Sequence, residues 1–312
     1  MERIGVTGAS GFMGSVLLPW LTGGGERHVV ALTRTLSPGP LTHHPGVEWV
    51  QGDLMSYRDC ATFVAGLDAI VHLAHTNTPF TSNNDLPGDA AMNMIPTVTL
   101  LQAIRNARTQ PHVVYPSTGG ALYRGEGRTP CDEESLVEPT TSYGIQKLMA
   151  EHYLRLGVRE GFITATVLRI GNPYGVLLPA ERRQGFVGVA LARLLGGRPV
   201  QIFGDPDNVR DYVHLDDVMR MFEAALARRH GWEVYNVGSG EGRSVRDVLE
   251  LLQQFSGRVA DVRYEPLTAE SRRLPPWIVL DPNKARRELG WEPEIGFIEG
   301  LRAMCEQAVA TP

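Results

Sequence analysis

Tyr143 and Lys147 stand four residues apart in the stretch TSYGIQK, 141–147. On a helix, residues i and i+4 share a face, so the two side chains can act on one object. A free phenol ionises near pH ~10 and is a poor base at neutrality. An ammonium group beside it stabilises the phenolate and lowers that value. The pair therefore has the composition of a proton-transfer couple. The spacing is also common on ordinary helix surfaces, so the rest of the chain has to supply something for the couple to act on.

That something is indicated at the N-terminus. In VTGASGFMGS (6–15), Gly8, Gly11 and Gly14 lie between an apolar run and an amphipathic one. Glycines in a strand-to-helix turn let the backbone approach a diphosphate, and the free N–H groups of the helix start point at it. Ser10, Phe12 and Met13 complete the loop. A dinucleotide held this way places its adenosine ribose at the end of the second strand, where an acid ordinarily receives the hydroxyls. Here Thr33 and Arg34 occupy that place. An arginine can pair with a 2′-phosphate, so the sequence leaves NAD and NADP both open. Asp53, with Leu54 after it, is placed to meet the adenine.

The elements that must position these residues alternate. The runs 3–8, 28–33, 47–53, 69–74, 112–117 and 163–170 are short, rich in Val and Ile and nearly continuous. Such runs fit strands buried on both faces. Helical segments are expected at 12–22, 59–66 and 96–108, and around Tyr143. This order implies an α/β fold with a doubly wound parallel sheet of Rossmann type. The second half is less regular, with helices expected at 184–197, 214–229, from the N-cap Ser244, and at 281–290. No repeat or linker separates it. The expected division is a dinucleotide-binding domain over 1–170, with 209–235 returning to it. A smaller, interleaved substrate-binding lobe is then formed by 171–208 and 236–312.

Composition excludes several classes. The net charge is −5, which gives no general attraction for nucleic acid. Three scattered cysteines suit a reducing compartment rather than a disulfide framework. No metal-ligand spacing is present, and no apolar run reaches membrane-spanning length. A cytoplasmic protein without metal, membrane or nucleic-acid partner is expected.

The pieces together resemble the extended short-chain dehydrogenase/reductase family, in its NAD-dependent sugar-nucleotide epimerase/dehydratase branch. The matching stretches are TGASGFMG (7–14), GDL (52–54), HLA (72–74), Asn93, STGGALY (117–123), YGIQK (143–147), LRIGNPYG (168–175), VRDYVHLDD (209–217), YNVGSG (235–240) and KARRELGW (284–291). They span almost the whole chain in the family's order, and within the branch they look most like the 4-epimerases of UDP-hexoses. The resemblance implies that Tyr143 is the acid/base and that Lys147 holds the nicotinamide ribose. It places Leu73, Ala74, His75 and Asn93 at the cofactor. Asn172, Phe203, Arg210 and Tyr212 fall at a nucleotide-sugar substrate. It also implies a homodimer through the helix of Tyr143 and the helix near 96–108.

The chain departs from the pattern after the fifth strand. The family's two usual hydroxyl positions fall on Gly119 and Ala121, which leaves Thr118 as the first candidate for the catalytic hydroxyl and Ser117 as the second. A dehydratase would carry Thr-Asp-Glu there, and Gly119 and Gly120 stand in those places. Arg272 or Arg273 is expected to grip the substrate diphosphate. Arg182 or Arg183 could meet a sugar carboxylate. The expected activity is NAD-dependent 4-epimerisation of a UDP-hexose or UDP-uronic acid through a transient 4-keto sugar. An NADPH-dependent reductase of a nucleotide-linked 4-keto-6-deoxy sugar is the alternative, and a non-catalytic nucleotide sensor is a third.

Overall fold

The computed structural model describes residues 1–36, 44, 46–76, 78, 81–125, 127–182, 184–265 and 275–310. Its centre is a seven-stranded sheet in the order β10-β6-β5-β4-β1-β2-β3, in which every pairing is parallel. The strands are β1 (Glu2–Thr7), β2 (Arg27–Thr33), β3 (Val47–Gln51), β4 (Ala69–His72), β5 (His112–Thr118), β6 (Thr164–Ile170) and β10 (Trp232–Val237). The strand order reverses between β1 and β4. At such a switch point the loops leave the strand ends in opposite directions and open a crevice for a ligand.

Helices cover both faces. On one, Leu17, Leu18 and Leu21 of α1 (Phe12–Thr22) pack with Val218, Phe222 and Leu226 of α6 (Leu215–Ala227). On the other, Phe63 of α2 (Tyr57–Phe63), Leu100 and Ile104 of α3 (Leu86–Ala107) and Leu154 of α4 (Ser142–Arg159) close a second core. A third core lies beyond the sheet. It joins α5 (Phe186–Leu195), α7 (Val245–Ser256) and α9 (Phe297–Ala310) to the short strands β8 (Val200–Phe203) and β9 (Val209–His214). The stretch 209–235 thus divides. β9 pairs with β7 (Asn172–Tyr174), β11 (Gly242–Ser244) and β13 (Trp277–Ile278) in a small sheet, while α6 and β10 return to the large one.

The helix α3 begins ten residues before the expected start. Pro96 looks like a helix beginning in the sequence, yet it lies inside α3. The true start is set by Asp85, whose side chain accepts from Gly88 N, with Pro87 in the first turn. Proline is favoured there because the missing N–H would be unpaired in any case. Among the described residues no helix is long and apolar enough to cross a membrane.

Candidate active site

A cleft of about 1120 Å³ opens at the switch point and runs from the β2 end to the third core. That exceeds the roughly 300–1,000 Å³ of a pocket for one small ligand, so it has room for a dinucleotide and a second molecule. Gly8, Ser10, Gly11, Phe12 and Met13 line its floor, and Thr33, Arg34, Asp53 and Leu54 line one end. Gly14 lies under the loop, where an added Cβ would come within 2.2 Å of Ala9 O. Gly8 has φ +66°, and a Cβ there would meet Ala74 N at 2.6 Å. Gly11 caps α1 without any side-chain cap bond, and no acid lies in the first turn. The helix start is thus left to receive an anion.

Tyr143 and Lys147 line the middle of the cleft from the first turns of α4. The start of this helix is fastened three times. Thr141 accepts from Gly144 N at 3.1 Å, Asn83 from Ser142 N at 2.7 Å, and Ser82 from Tyr143 N at 3.0 Å. The Lys147 ammonium donates to Pro116 O at 2.8 Å and sits 4.7 Å from the centre of the Tyr115 ring. Burial pulls its pKa down to about 7, against the opposing pull of Glu151. Burial pushes the Tyr143 phenol up to about 12, and a hydrogen bond from Thr118 works the other way. The phenol is therefore protonated at neutrality while the ammonium titrates close to it, and each is sensitive to a charge placed beside it.

Of the two candidate hydroxyls, Thr118 is the one that meets Tyr143. Ser117 lines the same strand end, but its Oγ donates to Glu151 Oε1 at 2.5 Å. The reason lies across the fold. A Cβ on Gly119 would come within 2.5 Å of Leu280 Cδ1, so the Leu280 side chain fills the space of a hydroxyl at that position. Thr118→Ala is expected to lower kcat by about 10- to 100-fold, the size of one hydrogen bond to a charged group. Ser117→Ala should leave kcat within a factor of two or so and cost about 1 kcal/mol of stability. Steady-state rates and urea unfolding of both variants check the pair.

The β4 end forms the facing wall through Leu73, Ala74 and His75. It is held from behind by His72, which contacts Thr7 Oγ1 through Nδ1 at 2.7 Å and Thr97 Oγ1 through Nε2 at 3.0 Å. Thr97 spends its proton on Asn93 O, so Nε2 carries the ring proton and Nδ1 accepts from Thr7. Burial keeps this ring neutral, with its pKa lowered to about 3. Asn93 does not line the cleft. Its Oδ1 accepts from Thr76 N at 2.9 Å, and its Nδ2 donates to Asp89 Oδ1 at 2.8 Å. It holds the wall rather than facing a ligand. The His75 ring stands edge-on to Tyr143 at 5.0 Å, and its buried Nε2 has no hydrogen-bond partner among the described residues.

Asn172, Arg210, Tyr212 and Phe203 line the far end of the cleft. Asn172 Nδ2 donates to Asp211 O at 3.1 Å, and Arg210 Nη1 donates to Val209 O at 2.7 Å. Arg182 lies 5.0 Å from the centre of the Phe12 ring. Arg183, Arg272 and Arg273 lie outside the described residues.

Some supporting residues escaped the sequence reading. Arg169 pairs twice with Glu151, at 2.8 Å and 3.3 Å, and donates to Tyr123 Oη at 3.0 Å. Asp211, buried, accepts from Ser239 N, Gly240 N and Leu280 N and so ties the small sheet to the strand end after β10. A charged residue inside an apolar strand, as Arg169 is in VLRI, is the signal that could have found the first pair.

Residues 4–238 match the NAD dependent epimerase/dehydratase family. The chain belongs to that family. It is an enzyme of the extended short-chain dehydrogenase/reductase type, and its cofactor is NAD. The chain is 31% identical to the UDP-glucose 4-epimerase of Mycolicibacterium smegmatis over 96% of each protein. It is 26% identical to the dTDP-4-dehydro-6-deoxyglucose reductase of Escherichia coli over 95% of this chain and 94% of that one. Its fold matches the crystal structure of the Thermus thermophilus UDP-glucose 4-epimerase complexed with NAD, with a TM-score of 0.89, 29% identity and full coverage of both chains. The cleft fits the cofactor on its own terms. An uncapped helix start over glycines suits the diphosphate, and the unpartnered His75 nitrogen beside Lys147 suits a ribose hydroxyl.

Proposed function

We propose that this epimerase-family enzyme interconverts the two C4 epimers of a nucleotide-activated sugar, of UDP-hexose or UDP-uronic acid type, through a transient 4-keto sugar. The observation that carries the reading is the meeting of Thr118, Tyr143 and Lys147 in one cleft deep enough for NAD and a second ligand. NAD, when bound, supplies a hydride acceptor that gives the hydride back. Tyr143 Oη takes the proton of the C4 hydroxyl and returns it after the ketone has turned its other face. Thr118 hydrogen-bonds the same oxygen and the phenolate. Lys147 holds the ribose and lowers the phenol pKa. Asn172, Arg210, Tyr212 and Phe203 receive the nucleotide diphosphate and base. Incubation with UDP-glucose, UDP-galactose and UDP-glucuronic acid, followed by chromatography of the sugar nucleotides, tests the reading. Failure of all three to epimerise would remove it.

A reductase of a nucleotide-linked 4-keto-6-deoxy sugar is the second reading. The observation on its side is the end of β2, where Thr33 and Arg34 line the cleft in place of a ribose-binding acid. It requires added reduced cofactor at every turnover, whereas the epimerase does not.

The homodimer belongs to the same proposal. Ile145, Met149, Tyr153 and Leu156 repeat along one side of α4 and are exposed beside exposed Met92 and Ile95 of α3. An exposed apolar face on two adjoining helices suits a second copy of the chain. Met149→Lys should shift the protein from dimer to monomer in light scattering; an unchanged mass would place the dimer face elsewhere.

A further inference from the structure

We propose that Arg182 is a ligand of the cofactor's diphosphate, reaching it from the substrate-side loop, and that it slows release of NAD. The inference rests on NAD occupying the cleft. It departs from the expectation that Arg182 reads a sugar carboxylate.

Ala180, Glu181 and Gly185, on either side of Arg182, are each held by a contact. Arg193 of α5 reaches back to this loop, donating from Nε to Ala180 O at 2.8 Å, while its Nη1 donates to Pro199 O ahead of β8 at 2.9 Å. The adjacent acid, Glu181, is drawn away from Arg182 by Arg198, at 2.5 Å. Gly185 closes the loop with φ +88° and brings it against Leu178, which a Cβ there would meet at 2.4 Å. These contacts leave the Arg182 guanidinium over the Phe12 ring. Phe12 is the first residue of α1, directly after the uncapped Gly11.

Arg182 is partly buried, and burial lowers its pKa without a compensating anion. It has no carboxylate partner among the described residues. A desolvated guanidinium stacked on an aromatic face keeps its N–H edges for an in-plane acceptor. The anion that the neighbouring helix start is shaped for is the diphosphate, and an arginine can hold it through two parallel bonds. A sugar carboxylate would be held at the Tyr143 end of the cleft, whereas Phe12 belongs to the phosphate loop. The loop of Arg182 also borders the substrate side, through Phe186 and Val187 of α5 in the same cleft. Arg182 would therefore join the substrate lobe to the cofactor and favour retention of NAD across a full cycle.

The test compares wild type, Arg182→Ala and Arg182→Lys, each loaded with excess NAD, freed of unbound nucleotide and sampled over time for NAD remaining per chain. Loss of one charged hydrogen-bonding partner should speed NAD release by about 10- to 100-fold in the alanine variant. The lysine variant should fall between, because it keeps charge but not the planar fork. The gap between wild type and alanine should narrow at high salt. Melting curves without NAD check that the variants fold. Equal release rates in all three would overturn the proposal, as would a rise in KM confined to UDP-glucuronic acid with NAD release unchanged. A wild type that holds no NAD would instead remove the cofactor reading on which the proposal stands.

Discussion

Tyr143→Phe is expected to lower turnover by about 10²- to 10⁴-fold, the usual contribution of a general acid–base group, while NAD stays bound. The substitution removes one oxygen. It keeps the ring that meets His75 at 5.0 Å and the backbone N–H held by Ser82 at 3.0 Å. Burial pushes this phenol up to about 12. A base with that value is far from useful ionisation at neutrality. The positive charges that enter with the cofactor and on Lys147 have to supply that difference. The pH profile follows with a definite sign. A cation favours phenolate, so its removal raises the phenol pKa and moves the alkaline rise of the rate to higher pH. Lys147→Met should therefore show that rise at least one unit above wild type. Rates of the three proteins from pH 6 to 10, with bound nucleotide counted, check this. Loss of NAD from Tyr143→Phe in proportion to its loss of rate would mean that Tyr143 serves binding rather than proton transfer.

The second large effect concerns stability. Arg169→Met is expected to cost about 3–5 kcal/mol, because it leaves a buried carboxylate without its cation. Glu151 is 3% exposed, and once Arg169 is gone its one hydrogen bond among the described residues is from the hydroxyl of Ser117, with Lys147 acting on it only through space. Ser117 and Arg169 are register partners on β5 and β6, so the pair clamps the strand end that also offers Pro116 O to Lys147. The double variant Arg169→Met/Glu151→Leu removes both charges and should recover most of the loss, since apolar replacement of a buried pair is often neutral. Urea unfolding measures both. A single variant within about 1 kcal/mol of wild type would show that water reaches Glu151 and that the clamp is not what fixes the strand end.

Much of the site was legible because it is local in sequence. The glycines of 8–14 and the spacing of Tyr143 and Lys147 express loop and helix geometry within a few residues. The run of β-branched strands likewise announced the parallel sheet. What stayed hidden depends on residues far apart. The space beside Gly119 is taken by Leu280, which no spacing rule connects to β5. The tautomer of His72 needs Thr7 and Thr97, and the Glu151–Arg169 clamp needs the register of β5 on β6. Asn93 carries a family signature, yet its hydrogen bonds are spent on Thr76 and Asp89 inside the wall. The start of α3 was hidden for a local reason: Pro96 is a stronger visible start signal than Asp85 is a visible cap, although the latter decides. The final helix, α9, carries Gly300 in its first turn, a poor helix former, and is defined mainly by Phe297, Leu301 and Met304 packing on the third core.

The claim that the cofactor is kept while the sugar is oxidised and reduced again has one most direct measurement. Freshly purified protein, with no cofactor added, would be given UDP-galactose and UDP-glucuronic acid, each carrying deuterium at the sugar C4. Many turnovers per chain are expected with at least one of them, and product epimer with the deuterium still at C4. Conversion that requires added reduced nicotinamide cofactor, or product that has lost the label to water, would contradict it.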